Sequence, residues 1–354
     1  ALATAFAYWC LPQLFFYGLY SLLGEVLNAR SAFGPFMWAP VLNNIVAIAG
    51  LVCYVVLFGA DPTGSRAISS WGGDQVSLIA SSATAGVAAQ ALILLVFWRR
   101  VGLKLGLNFK WRGVGLRPAA KAASWTLGMV LVTQLGGLVQ SVVASSTVAA
   151  RASQGLAIAS IAASSIAWLI FMLPHSIATV SIATASFTKI STHAADGQID
   201  EFKRQVGASL RAILAFSFFA TAALMVLAYP VSRIFVGEYP ATVALGNVLI
   251  AFMVGLVPFS FVFMLQRAFY ALEDTRTPFI FTTIQTVVFI AAALTISQTV
   301  EARWLVAALA LASSISILVQ AIIAYRLLRR KVGGFAGVGL AGVTARMLIA
   351  ALVS

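Results

Sequence analysis

Apolar residues run along this chain in blocks rather than in alternation. Ala, Leu, Val, Ile and Phe fill charge-free stretches of about 18–25 residues, the length at which a helix rising 1.5 Å per residue crosses a ~30 Å hydrocarbon layer. No block shows the two-residue alternation of a barrel strand, so helices are expected. The pattern predicts nine complete spans, over 4–26, 38–58, 77–97, 122–144, 157–180, 210–229, 243–265, 279–296 and 305–325, with a tenth starting near Thr344. The first apolar block opens at Ala1 and the last stops at Ser354, so the sequence reads as a stretch of a longer chain, truncated at both ends.

Composition agrees with the pattern. Of 354 residues, 61% are hydrophobic and 9% charged, where a soluble domain carries roughly a quarter charged. The fold class expected is an all-α polytopic membrane protein. The net charge of +13 would suggest nucleic acid in a soluble protein, but its placement along the chain argues for topology instead. If nine spans alternate sides, one side receives 19 of the 23 Lys and Arg, and the other holds only Arg66, Arg151, Arg233 and Arg303. The positive-inside rule makes the richer side cytoplasmic, including the basic loop 98–121. Cys10 and Cys53 both fall within spans, which suits free thiols.

The stretch "YGLYSLLGEVLNARSAFGPFMWAPVLNN" (Tyr17 to Asn44) begins and ends as buried helix but breaks between. Residues 27–37 are expected to form a cytoplasmic turn, with Arg30 at the interface and Pro35 and Pro40 starting the next helix, where a missing N–H costs little. "LQRAFYALEDTRTPF" (Leu265 to Phe279) repeats the design, with Asn28-Ala29 and Tyr270-Ala271 in equivalent places. Two such hairpins suggest two related halves, an arrangement common in transporters.

These residues also carry a family resemblance. "FFYGLYSLLGEVLNARSAFGPFMWAPVLNN" is similar to the fourth and fifth helices of the MviN/MurJ lipid II flippases, and "RAFYALEDTRTP" to their turn between helices ten and eleven. "FMLPHSIATVSIATASFTKIS" (Phe171 to Ser191) resembles their kinked eighth helix. The three matches keep the family's order and spacing. The resemblance implies two pseudo-repeated lobes of the MOP/MATE-like type: 1–97 as the end of the N-lobe, 98–121 as the connecting loop, 122–331 as the C-lobe and 332–354 as the start of a further helix. It implies transport of an undecaprenyl-diphosphate sugar-peptide across the bacterial inner membrane, with membrane lipids and cell-wall synthesis proteins as partners and no cofactor.

A flippase needs polar partners for its cargo, and charge buried in a membrane is costly and usually functional. The spans carry no Lys or Arg near their middles; Glu25, near the end of the first span, reads either as a gating group or as a snorkelling carboxylate. The cavity candidates are therefore amides and an imidazole: Asn43, Asn44, Gln134, Gln140 and His175. Interhelical hydrogen bonding is the alternative role for such amides. Pro174 should kink its helix and serve as a hinge or a static bend. Glu25, Asn28, Arg30, Arg267, Tyr270, Asp274 and Arg276 are the gate or turn candidates, with a solvated helix cap as the other reading of Asp274 and Arg276. "GQIDEFKRQVGASLRAI" (Gly197 to Ile213) reads as an amphipathic surface helix with Ile199, Phe202 and Val206 towards lipid.

The sequence also departs from the resemblance. Five residues before Pro174 stands Leu169 and two before it Met172, where many family members carry Arg and Glu. Spans 122–144 and 279–296 contain no carboxylate, so a sodium site is not expected there. Without paired intramembrane carboxylates or an H-E-x-x-H motif an enzyme is not expected, and His175 and His193 do not form a metal pair. Another MOP-superfamily transporter, either a polysaccharide-lipid flippase or a multidrug exporter, and a non-transporting scaffold of the same fold are the competing readings.

Overall fold

The computed structural model describes residues 2–30, 32–61, 71–100, 102, 116–145, 161–334 and 342. All regular elements among them are helical. Eight helices are long and apolar enough to cross a membrane, and a bent pair makes a ninth span when counted as one. The expected tenth span, most of loop 98–121 and Arg151 lie outside the described residues. The chain divides into two units, residues 1–111 and 112–354.

The first unit holds α1 (Leu2–Ala29), α2 (Phe33–Phe58) and α3 (Gly73–Arg100). Helix α3 packs along both of the others. Small residues bring it close to α2: a Cβ at Gly50 would stand 2.3 Å from Ser82 Oγ, and one at Gly86 would stand 2.3 Å from Asn43 Oδ1. Pro40 does not start α2, as the sequence suggested, but lies inside it. Its ring nitrogen cannot donate to the Phe36 carbonyl one turn back. Tyr20 Oη of α1 donates to that oxygen instead at 2.9 Å, with its ring stacked on Phe36 at 4.9 Å. Gly24 makes the stack feasible, since a Cβ there would meet the Phe36 ring at 2.2 Å.

The second unit holds α4 (Leu116–Ser145), α5 (Ile161–Pro174), α6 (Ser181–Ala195), α7 (Ile199–Val226), α8 (Ala228–Phe235), α9 (Tyr239–Met253), α10 (Leu256–Ala271), α11 (Arg276–Thr299) and α12 (Ala302–Lys331). Two irregularities stand out. A π-helical turn, His175–Val180, follows Pro174 and joins α5 to α6 as one long span. The proline is thus absorbed in a widened turn, a known way for a helix to accommodate a missing ladder bond. Span 243–265, read from the sequence as one helix, is in fact α9 and α10, bent by 43°. The cause is local. Pro258 offers no N–H to Val254, and Gly255 N turns to Phe252 O (2.8 Å), which strands the Ala251 carbonyl. Ser314 Oγ of α12 donates to that carbonyl at 2.8 Å.

Two further expectations change. Span 210–229 runs across the joint between α7 and the short helix α8. The proposed surface helix 197–213 is mostly the first part of α7, and Phe202 and Val206 are fully buried on a helix that packs against α6 and α10, instead of facing lipid. Apolar side chains alone cannot distinguish a lipid-facing stripe from a helix-facing one.

The apolar core of this unit has two parts. One gathers Ala167, Ile170, Phe171, Leu245, Leu249, Leu256, Phe289 and Leu309, and the other Ile190, Phe202, Leu210, Leu265, Phe269, Phe281 and Leu328. On helix after helix, buried polar residues lie between the two: His175 and Thr179 in the π turn, Ser217 on α7, Ser260 on α10, Thr282 and Thr286 on α11, Ser314, Ser316 and Gln320 on α12. They form a polar belt midway along the unit.

Candidate functional site

Binding sites in transporters commonly sit near mid-membrane beside discontinuous helices, and the belt with its two irregular helices has that character. A cavity of about 810 Å³ opens beside it, lined from α4, α5, α9, α10, α11 and α12. Its polar lining consists of amides and hydroxyls, among them Gln134, Gln140, Gln266, Thr282, Gln285, Thr286, Ser313 and Gln320. Its apolar wall is largely aromatic, formed by Trp168, Phe252, Phe259, Phe263 and Phe289. Among the described residues no ionisable side chain lines it.

The polar groups fall into two sets. Gln285 Nε2 donates to Ser316 Oγ (2.8 Å) and Gln320 Nε2 to Thr282 Oγ1 (3.1 Å), so these amides cross-link α11 and α12. Gln134 and Gln140, both on α4, make no side-chain hydrogen bond among the described residues and present free amides to the cavity. Gly136 lets α4 approach α11, its Cβ position lying 3.1 Å from the Thr286 methyl.

His175 does not line the cavity. It is buried behind the aromatic wall, with Nδ1 3.1 Å from Ser260 Oγ and its ring against Phe259 (4.6 Å) and Phe263 (5.1 Å). Asn43 is in the first unit, wedged against Gly86 on the helix interface, and Asn44 is exposed beside it. These two are therefore not brought together with Gln134 and Gln140 in one described pocket.

The two turns share a backbone pattern. Leu27 O accepts from Arg30 N (3.1 Å) and Ala32 N (2.9 Å), and Phe269 O accepts from Leu272 N (3.1 Å) and Asp274 N (3.0 Å). Both are the 6→1 closure that ends a helix, and Asn28-Ala29 and Tyr270-Ala271 hold the same two positions in that pattern. In the second turn Glu273 takes the left-handed conformation, φ 55°. The side chain of Asn28 lies outside the described residues. Glu25 and Arg30 are exposed and make no ion pair among the described residues.

Asp274 acts as a cap. Its carboxylate accepts from Thr277 N (2.9 Å) and Thr277 Oγ1 (2.8 Å) at the start of α11, and pairs with Lys331 at the end of α12. Burial alone would raise this carboxyl, but the Lys331 and Thr277 hydrogen bonds outweigh it and hold the group below the ordinary aspartate range. Arg276 turns away, its guanidinium 5.7 Å from the Trp125 ring. Arg267 lies over Phe263 (5.2 Å) and Phe187 (5.7 Å). Tyr270 is half-buried one turn further on. Sequence reasoning missed Ser314, Thr282, Thr286 and Lys331; the spacing Gly255-x-x-Pro258 was the visible signal for the bend.

Known proteins share this architecture. A solved structure, "Lipid II flippase MurJ, inward closed conformation", aligns over 97% of this chain and 65% of its own with a TM-score of 0.65 and 19% identity. An inward-facing multidrug resistance MATE family transporter of the MOP superfamily aligns over 94% and 72%, with a TM-score of 0.68 and 16% identity. At these identities they show the fold. A probable lipid II flippase MurJ of Rhizobium tropici is 27% identical over 277 residues, 77% of this chain and 48% of that protein, so the chain spans about half the length of the curated relatives it matches. The family model described as "Lipid II flippase MurJ" covers residues 1–354. With the helical architecture and both hairpin turns in place, this chain belongs to the lipid II flippase MurJ family.

Proposed function

We propose that the protein moves the lipid-linked peptidoglycan precursor lipid II across the bacterial inner membrane by alternating access. The observation that carries the reading is the uncharged, amide- and hydroxyl-lined cavity at mid-span, in a chain of the lipid II flippase family. Amides and hydroxyls can exchange hydrogen bonds with a sugar-peptide as it passes, and aromatic faces suit pyranose rings. The polyprenyl tail would remain in lipid. Gln134 and Gln140 are the residues placed to follow the cargo, since neither is committed to another helix.

The same reading puts the basic ends of the helices, with Arg30, Lys189, Arg267, Arg276 and Lys331, on the cytoplasmic face. It makes residues 1–97 and 122–331 parts of the two lobes and gives Pro174, with its π turn, the role of a hinge. Asp274 serves as a latch between the α10–α11 turn and α12 rather than as a partner of Arg276. Cell-wall synthesis proteins are the expected neighbours at the membrane.

The test is rescue of cells depleted of their own lipid II flippase, with growth and the fraction of lipid II on the outer leaflet both measured. Rescue by the protein, and its loss in a Gln134→Leu/Gln140→Leu variant present at equal membrane level, is the expected result. A membrane-inserted protein that gives no rescue but exports a cationic dye would replace the reading with a multidrug exporter of the same fold.

A further inference from the structure

Arg267 sits in the last two turns of α10, half-buried. Phe263 and Phe187 of α6 lie within 5.2 and 5.7 Å of its guanidinium carbon. A cation–π contact engages the charge of a guanidinium and consumes none of its five N–H donors. Among the described residues none of those donors meets an acceptor, and no carboxylate lies within ion-pair distance. Of the two acids in the turn that closes this helix end, Asp274 is already bound to Thr277 and Lys331, and Glu273 is exposed and makes no ion pair among the described residues.

Arg276, exposed at the start of α11, lies over a single ring, 5.7 Å from the centroid of Trp125 of α4. One turn after Trp125 is Met129, whose sulfur is 3.9 Å from Gln266 Nε2. Met129, Gln266 and Phe263 all line the cavity, so the Arg267 guanidinium over Phe263 flanks one end of a chamber with no ionisable residue among its described lining. A half-buried cation with aromatic support and unused in-plane donors has the form of an anion receptor. A phosphate oxygen pair matches the guanidinium fork with two parallel hydrogen bonds.

We propose that Arg267 binds the phosphate group of a lipid at this end of the cavity. The phosphate can come from two sources, a polyprenyl diphosphate and a glycerophospholipid, and the flippase reading bears only on the choice between them. Aromatic support stabilises such a cation, and the bidentate contact adds the geometric selection.

The full protein in neutral detergent is titrated separately with undecaprenyl diphosphate, phosphatidylglycerol and uncharged diacylglycerol. Arg267→Gln should weaken binding of at least one phosphate lipid by about tenfold or more, and Arg267→Lys, which keeps charge but loses the fork, by less. Arg303→Gln, removing a cation already paired with Glu301, should change nothing. An effect on undecaprenyl diphosphate identifies a cargo site, and an effect on phosphatidylglycerol alone a resident-lipid site; both support the proposal. If Arg267→Gln lowers thermal stability, Phe187→Leu, which removes one support and keeps the cation, should still weaken phosphate binding measurably. Unchanged affinity for both lipids in variants of normal stability overturns the proposal, and the flippase reading stands if the wild type binds undecaprenyl diphosphate. A wild type that binds phosphatidylglycerol through Arg267 but not undecaprenyl diphosphate leaves the phosphate site intact and weakens the flippase reading.

Discussion

The Tyr20 hydroxyl should matter to stability only because residue 40 is proline. Pro40 leaves the Phe36 carbonyl without its intrahelical donor, and Tyr20 Oη fills the vacancy at 2.9 Å. Replacing Tyr20 by Phe keeps the 4.9 Å ring stack but leaves that oxygen orphaned within the membrane span. A hydrogen bond between membrane helices is worth about 0.6 kcal/mol on average and up to about 1.7, and an abandoned buried acceptor costs about 1–3 kcal/mol. A loss of about 1–2 kcal/mol is therefore expected from this bond. The Gln90 side chain also influences the Tyr20 hydroxyl, so the single substitution measures more than one contact. A double-mutant cycle removes that ambiguity. In a Pro40→Ala background the backbone N–H restored at this position reaches Phe36 O, and the Tyr20→Phe cost should fall by about 1 kcal/mol while the Gln90 contribution, common to both backgrounds, cancels. The assay is equilibrium unfolding in mixed micelles of neutral detergent and dodecyl sulfate. An equal Tyr20→Phe cost in both backgrounds, within about 0.3 kcal/mol, would refute the reasoning.

Gly255→Ala should destabilise by about 1–3 kcal/mol, because its Cβ would meet Ser314 Oγ at 2.7 Å and Ser314 Cα at 3.1 Å; a thermal midpoint in detergent that rises would contradict the close approach. Asp274 has its folded-state pKa depressed, so its contribution is fully present above the unfolded value of about 3.9 and is lost as pH falls through the lower folded value. The stability gap between wild type and Asp274→Asn should accordingly be constant above about pH 5 and close below about pH 4, and a gap independent of pH down to about 2 would remove the charge from the account. With Cys10 and Cys53 replaced by Ala, cysteines at Gly73 and Gly237 should react with an impermeant thiol reagent in intact cells and one at Asp196 should not; the reverse pattern would invert the orientation.

What the sequence disclosed follows from what hydrophobicity can report. Nine apolar blocks of sufficient length led to eight membrane-length helices and one bent pair among the described residues, because length and charge exclusion are one-dimensional properties. Both hairpin turns were readable from small and polar residues at fixed offsets. The α9–α10 bend was hidden because Val254, Gly255 and Leu256 keep the block apolar while the ladder changes partner. The burial of Phe202 and Val206 was hidden for a similar reason: lipid and a neighbouring helix attract the same side chains. Gln134 and Gln140 could be nominated from polarity alone. Separating them from Gln285 and Gln320, which look identical in sequence, required knowing that Ser316 and Thr282 stand within hydrogen-bond reach of the latter pair.

The widened turn after Pro174 also sets the azimuth of everything beyond it. An α-helix advances about 100° per residue, and a π turn holds about one residue more than an α turn. Helix α6 is therefore rotated by roughly a quarter revolution relative to a plain continuation of α5. That offset points Ala183 and Ile190 into the core, Ser186 at Ser209 (2.9 Å) and Phe187 at Arg267. Deleting one residue from His175–Val180 would restore a regular ladder and at the same time turn all four contacts away from their partners. An equal deletion in the Asp196–Gln198 connection would shorten the chain but leave the phase of α6 untouched. The proline and its wide turn work together as an angular spacer, and the direction faced by the Phe187 support of Arg267 is set well upstream of it in the chain.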